Sequence, residues 1–157
     1  MIEPITDFVS RFNTRISLDQ RLILRKKNHY FLIDDNLKRS VRKGFFYAGT
    51  YLGKTKNGKF FPSFSLLRLI AEQDANQIAV DEKTEWLFIC GRDVFKRGIK
   101  KVKGSKRKGD YTLVLNQQGE CLGFGKILRD LNEKIKNGVT IQNISDIGDF
   151  LRREKKD

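Results

Sequence analysis

Histidine, cysteine and tryptophan are scarce in this chain of 157 residues, which contains one His, two Cys and one Trp. Zinc sites need Cys and His at short spacings, and the sequence has neither a C-x-x-C pair nor a Cys/His cluster. Cys90 and Cys121 lie in the apolar runs WLFIC and CLGF, so we expect two reduced thiols in buried strands. From these absences we predict that the protein holds no metal and no cofactor.

Long apolar runs are missing as well. No segment approaches the roughly 18–20 apolar residues that cross a bilayer, and the N-terminal MIEPITDF lacks the basic and apolar regions of a signal peptide. No stretch of useful length places Lys and Arg along a whole helical face, as a membrane-surface helix does. These features predict a soluble, intracellular protein with no membrane partner.

No set of residues in the sequence resembles a catalytic centre. His29 lies in the apolar stretch HYFL, where a lone histidine is more often a packing or surface residue than a general base. Asp34 and Asp35 are adjacent, but neighbours on a strand point to opposite faces, so we expect them to end the strand and cap the next helix. The motifs G-x-S-x-G, G-x-G-x-x-G and the P-loop are absent. We therefore predict that the protein is not an enzyme.

Apolar periodicity predicts an N-terminal unit of helices and antiparallel strands. The expected elements are, in order, a helix over 5–16, strands RLILRK and HYFLIDD around a turn at Lys27 and Asn28, a weak helix NLKRSVRKG, a strand FFYAGTYLGK, a hairpin turn at Asn57 and Gly58, a strand ending at Pro62, and a helix SFSLLRLIAE. The polar segment 72–77 loses this periodicity. We place a domain boundary there, between residues 1–75 and residues 76–157.

The second unit has the short strands and turns that are typical of a small barrel or sandwich. We expect strands IAVD, EWLFIC, GIKKV, DYTLVLN and CLGFGKI, a helical turn RDVFKRG and a final helix ISDIGDFLRREKK. Asn143 is the expected cap of that helix, with Asp146 three residues later in the manner of a capping box. At helical spacing, its apolar stripe consists of Ile144, Ile147, Phe150 and Leu151.

Positive charge is the strongest signal in the composition. Lys and Arg number 32 against 19 Asp and Glu, which gives a formal net charge of +13 and an isoelectric point near 9.9. A protein this basic attracts polyanions, and nucleic acid is the first candidate partner.

Two basic segments are the candidate RNA-binding sites. Residues 96–108 contain no acid, and their glycines let the backbone approach a phosphate, although a solvated loop of like charges is the alternative interpretation. The candidates in this segment are Lys96, Arg97, Lys100, Lys101 and Lys103. In the C-terminal helix, four basic residues lie opposite the apolar stripe, although basic residues there also relieve the helix dipole. These four are Arg152, Arg153, Lys155 and Lys156.

The segments WLFICGRDVFKRGI, LGFGKI and DIGDFLRRE resemble a PUA domain, and YLGKTKNGKFFPSFSLLRLIA resembles the N-terminal domain of the Nip-seven type of ribosome-biogenesis factor. This resemblance implies an α+β protein of two domains, an N-terminal α/β domain with an antiparallel sheet and a C-terminal PUA-type small β-barrel flanked by short helices. It also implies non-catalytic RNA binding in large-subunit biogenesis and rRNA processing. RNA contact would fall on the basic C-terminal helix and on residues 91–96, which adds Arg92.

Two alternatives stay open at this stage. PUA domains accompany RNA-modifying enzymes, so the chain could be a subunit of one, although its N-terminal half looks too small for a catalytic domain. It could also be an adaptor that docks on an RNA methyltransferase or another pre-ribosomal protein. For the leading interpretation we expect ribosomal RNA or its precursors, together with assembly proteins, as partners. The corresponding location is the cytoplasm in an archaeon and the nucleolus in a eukaryote.

Overall fold

The computed structural model describes residues 2–40, 49–134 and 137–154. Residues 153 and 154 are described by their backbone alone. The N-terminal half contains α1 (Glu3–Ser10), β1 (Ile23–Lys26), β2 (His29–Leu32), α2 (Asp35–Ser40), β3 (Thr50–Lys56), β4 (Lys59–Pro62) and α3 (Phe64–Ala71). Strands β1 to β4 form an antiparallel sheet in chain order. Asn57 and Gly58 join β3 to β4 with φ of 51° and 73°, as a tight Asn-Gly hairpin turn requires.

The N-terminal elements agree with the sequence prediction except in extent. The first helix ends at Ser10, well before residue 16, and Asn13 has a φ of 56° that an α-helix does not allow. Asp34 accepts a hydrogen bond from the Leu37 N–H at 2.6 Å, which confirms that it caps α2. Residues 41–48, which belong to the predicted helix NLKRSVRKG and strand FFYAGTYLGK, lie outside the described residues.

The C-terminal half is a curled sheet. Its elements are β5 (Gln77–Val80), α4 (Glu82–Ile89), β6 (Val94–Phe95), a 3-10 turn (Lys96–Gly98), β7 (Ile99–Lys103), β8 (Tyr111–Leu115), β9 (Cys121–Ile127), β10 (Val139–Asp146) and α5 (Ile147–Glu154). The strand order is β6-β10-β9-β8-β5-β7, antiparallel throughout except for β5 beside β8. The two edge strands, β6 and β7, are joined by only the 3-10 turn. The sheet must therefore curl until its edges approach each other, which confirms the predicted α+β class with a small barrel.

The secondary structure of this half differs from the prediction at α4 and at the start of the final helix. The run EWLFIC is not a strand, because residues 82–89 form α4, whose N-cap Asp81 accepts a hydrogen bond from the Thr84 N–H at 2.8 Å. The final helix begins at Ile147, so Ile144 does not belong to its apolar stripe. Ile144 lies instead in β10, a strand absent from the prediction, at a bulge in its pairing with β9.

The hydrophobic core crosses the predicted domain boundary. Phe8 of α1 packs against Phe124 of β9 with 5.4 Å between ring centroids, and Phe12 packs against Tyr111 of β8 at 5.7 Å. A second cluster fills the barrel, and its buried members are Ile78, Val80, Phe88, Val94, Val114, Leu122, Ile127, Leu131 and Ile141. One of the two apolar clusters contains buried residues from both halves. The boundary at 72–77 stays a prediction. Each described helix falls short of the length and apolar character that a bilayer crossing demands.

Candidate nucleic-acid interface

The last turn of α4 ends in a glycine-dependent motif that exposes the residues after it. Gly91 has a φ of 91°, its N–H donates to the Phe88 carbonyl, and the Arg92 N–H donates to the Leu87 carbonyl, both at 2.9 Å. This is the Schellman arrangement, which favours glycine because the backbone enters the left-handed region. Arg92, one of the predicted RNA-binding residues, therefore leaves the helix at an exposed position.

Asn143 fastens this turn to β10. Its N–H donates to Asp93 Oδ1 at 2.8 Å, and its Nδ2 lies 2.9 Å from the Phe88 carbonyl and 3.3 Å from the Arg92 carbonyl. The side-chain amide thus satisfies acceptors at the end of α4, where helical partners are lacking. The prediction that Asn143 caps the final helix is wrong, because this residue lies within β10.

Asp146 takes the capping role at the start of α5. Its Oδ1 accepts a hydrogen bond from the Asp149 N–H at 2.8 Å, and its Oδ2 accepts one from Asn143 Nδ2 at 3.1 Å. Arg152 Nη2 lies 3.5 Å from Oδ1 of the same carboxylate. Asp146 is only 3% exposed, and a carboxylate buried this deeply needs such partners.

Helix α5 approaches the end of α4 closely at Gly148. A Cβ at this position would lie 2.2 Å from the Ile89 carbonyl oxygen, so a larger residue would push the helices apart. Arg152, one turn later, donates from Nη1 to the same carbonyl at 3.3 Å, and its Nη2 would lie 3.8 Å from a Cβ on Gly91. Its side chain is still 53% exposed. The glycine turn after α4 and the basic C-terminal helix, predicted separately, are therefore neighbours.

Three further basic candidates follow Arg152 in the sequence. The backbone of Arg153 lies in the helix, while Lys155 and Lys156 lie outside the described residues. Of the four candidates on this helix, Arg152 is thus the one whose contacts place it at the surface beside α4.

Lys96 and Arg97 lie on the 3-10 turn that joins the two edge strands of the barrel. A Cβ on Gly98 would lie 2.0 Å from Thr84 Oγ1, so glycine lets the turn pack tightly against α4. Lys96 Nζ donates to the Glu133 carbonyl. The Arg97 guanidinium lies 5.7 Å from the centroid of the Phe95 ring, a cation–π contact on the surface.

Lys100, Lys101 and Lys103 lie on β7, which confirms the strand predicted at GIKKV within the basic segment 96–108. All three are exposed, and the pairing of β7 with β5 is irregular at Lys100. Lys103 Nζ is 3.0 Å from an Asp74 carboxylate oxygen, a contact of two exposed groups that contributes little stability. Lysine on an edge strand also discourages pairing with another sheet, so these residues have a structural explanation besides RNA contact.

The histidine and the two cysteines lie in different surroundings. Partial burial, and then the nearby Lys54 and Lys27, lower the pKa of His29. Burial raises the pKa of Cys121 to about 11, so this residue is a thiol at neutral pH. Cys90 is exposed at the end of α4, which corrects its predicted place in a buried strand. Within the described ranges, no three or more His, Cys, Asp and Glu side chains group into a possible metal site.

A cleft of about 830 Å³ lies where the two halves meet, and the sequence analysis did not foresee it. α1, the β3–β4 hairpin and the barrel strands form its walls. Its aromatic lining consists of Phe8, Phe60, Phe61, Tyr111 and Phe124. Arg11 lies at its rim, where Nη1 donates to the Tyr111 hydroxyl at 2.9 Å.

The C-terminal half has a curled six-stranded sheet, one short helix after its first strand and another after its last. This is the PUA-type barrel with short helices that the family resemblance implies. The sequence profile of the UPF0113 PUA domain family matches residues 76–155. The chain belongs to this family, which confirms the resemblance drawn from WLFICGRDVFKRGI, LGFGKI and DIGDFLRRE.

Two relatives extend the comparison. The chain is 28% identical to a UPF0113 protein of Archaeoglobus fulgidus over 115 residues, which are 69% of this chain and 63% of that protein, less than two thirds of its length. It is 24% identical to a 60S ribosome subunit biogenesis protein NIP7 homolog of Danio rerio over 166 aligned positions, covering 98% of this chain and 92% of the relative.

Solved structures support the fold of the whole chain. A conserved PUA domain protein from Thermoplasma acidophilum superposes with a TM-score of 0.62 at 25% identity, covering 97% of this chain and 92% of that one. A PUA domain from Aeropyrum pernix superposes with a TM-score of 0.61, covering 96% and 85%, and at 16% identity it supports the fold alone.

Proposed function

We propose that the protein is a non-catalytic RNA-binding factor that acts in large ribosomal subunit biogenesis and pre-rRNA processing. The net charge of +13 supports a nucleic-acid partner. The name of the Danio rerio relative, which the chain matches over nearly its full length, supports the biogenesis role. The partners are then ribosomal RNA or its precursors and assembly proteins. The location is the cytoplasm in an archaeon or the nucleolus in a eukaryote.

The observation that carries the proposal is the meeting of Arg152 with the turn at Gly91 and Arg92. Arg152 donates to the last carbonyl of α4, and Arg92 leaves that helix two residues beyond the cap. Two guanidinium groups, which bind phosphate in a planar, bidentate geometry, thus lie at one end of the barrel. Lys96, Arg97 and Lys100 add positive charge on the turn between the two edge strands and at the start of β7.

The proposed mechanism is phosphate neutralisation with release of counterions. Each phosphate contact contributes about 0.7–0.9 to the slope of log K against log salt, so about four to six contacts give a slope of roughly −3 to −5. Contacts of this kind position the RNA, whereas any preference for sequence needs contacts with the bases.

The test measures the RNA affinity of two variants and one control at several salt concentrations. The first replaces Arg152, Arg153, Lys155 and Lys156 by Ala, and the second replaces Lys100, Lys101 and Lys103. The control replaces four exposed cations of the N-terminal half, Lys38, Arg39, Lys56 and Lys59. We expect the first variant to lose the most affinity and its slope to flatten by up to about 3, while the control keeps a slope close to the original. Affinity that is indifferent to salt would overturn the mechanism.

The alternatives make different predictions. An RNA-modifying subunit would produce altered nucleosides in substrate RNA, and nucleoside analysis after incubation with the protein checks for them. An adaptor for an RNA methyltransferase is favoured by the aromatic cleft, where Ile144, 39% exposed, lines the same wall space as five aromatic side chains of the N-terminal half and barrel. Adaptor binding coexists with RNA binding, and the first basic variant should retain protein partners while losing RNA.

A further inference from the structure

The only tryptophan of the chain, Trp86, is 68% exposed on α4. Its neighbour two residues on, Phe88, is fully buried in the barrel, so α4 presents its indole outwards and its phenyl ring inwards. Large aromatic side chains are normally placed where their apolar area is covered. Tryptophan is enriched at interfaces, where its flat apolar ring is covered, so the exposed indole is a candidate contact surface.

A basic side chain contacts the end of α4 that carries this indole. The Cys90 N–H donates to the Trp86 carbonyl at 3.1 Å, so Trp86 begins the last turn of the helix. Arg152 Nη1 donates to the carbonyl of Ile89, three residues and about 4.5 Å further along the helix axis. Arg92 follows immediately after the turn. Trp86 thus lies within about one helical turn of the carbonyl that Arg152 contacts, and Arg92 follows six residues after it in the chain.

The acidic residues of α4 do not cancel this arrangement. Glu85 directs its carboxylate towards the β8–β9 hairpin, where it accepts a hydrogen bond from Asn116 Nδ2 at 3.2 Å. Glu82 and Lys83, both exposed, lie four and three residues before Trp86, so one acid and one base of opposite charge neighbour the indole on the side away from Arg152.

We propose that Trp86 is a stacking platform for an unpaired RNA base, with Arg152 and Arg92 holding the adjoining phosphates. The inference rests on the proposed RNA-binding function and names its substrate class as single-stranded RNA. Aromatic platforms accept any base because every base has a π-face, and they require bases that are free of pairing. The adjacent guanidinium groups favour a nucleotide over an uncharged protein side chain as the occupant.

Tryptophan fluorescence reports directly on Trp86, because the chain contains no other tryptophan. The intact protein is titrated with single-stranded oligouridylate, with an RNA duplex and with inorganic polyphosphate. We expect the single strand to quench the emission, and the duplex and polyphosphate to bind at low salt without quenching. Quenching by polyphosphate equal to that by the single strand would overturn the stacking role.

Substitutions separate stacking from charge. Trp86→Ala should weaken binding of the single strand by about 10- to 100-fold without changing the salt slope, because no charge is removed. Trp86→Phe keeps a π-face and should restore most of the affinity. Leu151→Ala is the matched control, since Leu151 is also apolar and is 57% exposed on the neighbouring helix. It should bind as the unaltered protein does.

The outcomes distinguish this inference from the proposed function. Full affinity of Trp86→Ala, with salt-dependent RNA binding intact, overturns the platform and leaves the function standing. Failure of Trp86→Phe to restore affinity also overturns it. If the unaltered protein does not bind RNA, the stacking role and the proposed function are both overturned. If the Trp86 emission changes only when a protein partner binds, the stacking role is overturned and Trp86 belongs to a protein interface.

Discussion

Arg152 and Asp146 form an ion pair across the first turns of α5, with 3.5 Å between Nη2 and Oδ1. The two ends of this pair have different surroundings, since Asp146 is 3% exposed while the Arg152 side chain is half exposed. The buried carboxylate accepts hydrogen bonds from the first turn of α5 and from the Asn143 amide, and it pairs with the Arg152 guanidinium. The position of the proposed phosphate-binding arginine therefore depends on a buried residue.

Asp146→Ala should lower the free energy of unfolding by about 2–3 kcal/mol, because it removes the helix cap and leaves the Asn143 amide with one acceptor fewer. Asp146→Asn keeps an oxygen that can accept the Asp149 N–H, so we expect a loss of about 1 kcal/mol. Urea unfolding of both variants measures the difference. Equal losses in the two would show that the cap contributes nothing.

Gly148→Ala should destabilise the protein by about 1–3 kcal/mol, because the new Cβ would lie 2.2 Å from the Ile89 carbonyl oxygen. Helix propensity alone predicts the opposite sign, since Ala is favoured over Gly in a helix by about 1 kcal/mol. Gly119→Ala is a suitable control. Its Cβ meets no atom within 4 Å, and only its positive φ costs energy, about 1–2 kcal/mol. A gain in stability for Gly148→Ala would contradict the close helix contact.

The antiparallel N-terminal sheet was predictable because its signals are local. Branched and aromatic runs on either side of Lys27, together with the Asn57 and Gly58 pair, specify strands and turns from a few neighbouring residues. Helix α4 was missed because a short apolar run such as WLFIC fits a buried strand or a helix equally well. Signals for the helix were present at its two ends, in the cap Asp81 and in Gly91 after its last turn.

Strand β10 and the site depend on longer-range information. The bulge near Ile144 breaks the alternation of apolar and polar residues on which strand prediction relies, and Asn143 and Asp146 then imitate a capping box. The contact of Arg152 with Ile89 joins residues far apart in the chain. Sequence patterning identified Arg152 as a basic candidate and the family resemblance added Arg92, but only the folded chain brings Arg152 to the turn that precedes Arg92.

The two cysteines should react with thiol reagents at very different rates. Burial raises the pKa of Cys121 to about 11, so at pH 8 about one molecule in a thousand carries its thiolate, the reactive form. Cys90 is exposed. Alkylation followed by mass spectrometry should therefore show rapid labelling of Cys90 and slow labelling of Cys121, which speeds up as the pH rises or the protein unfolds. Equal labelling of the folded protein would contradict the burial of β9.

The two halves should unfold in one cooperative transition, because the cluster of α1 and β9 aromatic side chains belongs to both. Phe8→Ala removes a ring whose centroid is 5.4 Å from that of Phe124, and we expect a loss of about 3–5 kcal/mol. In a Cys90→Ser background, labelling of Cys121 follows the contact between β9 and the N-terminal half, while far-ultraviolet circular dichroism follows the whole chain. Both signals should move to the same lower urea concentration in the Phe8 variant, since coincident transitions indicate a single unit. A variant in which Cys121 becomes labelled while part of the circular dichroism signal persists to higher urea would instead make segment 72–77 a boundary between independently folding units.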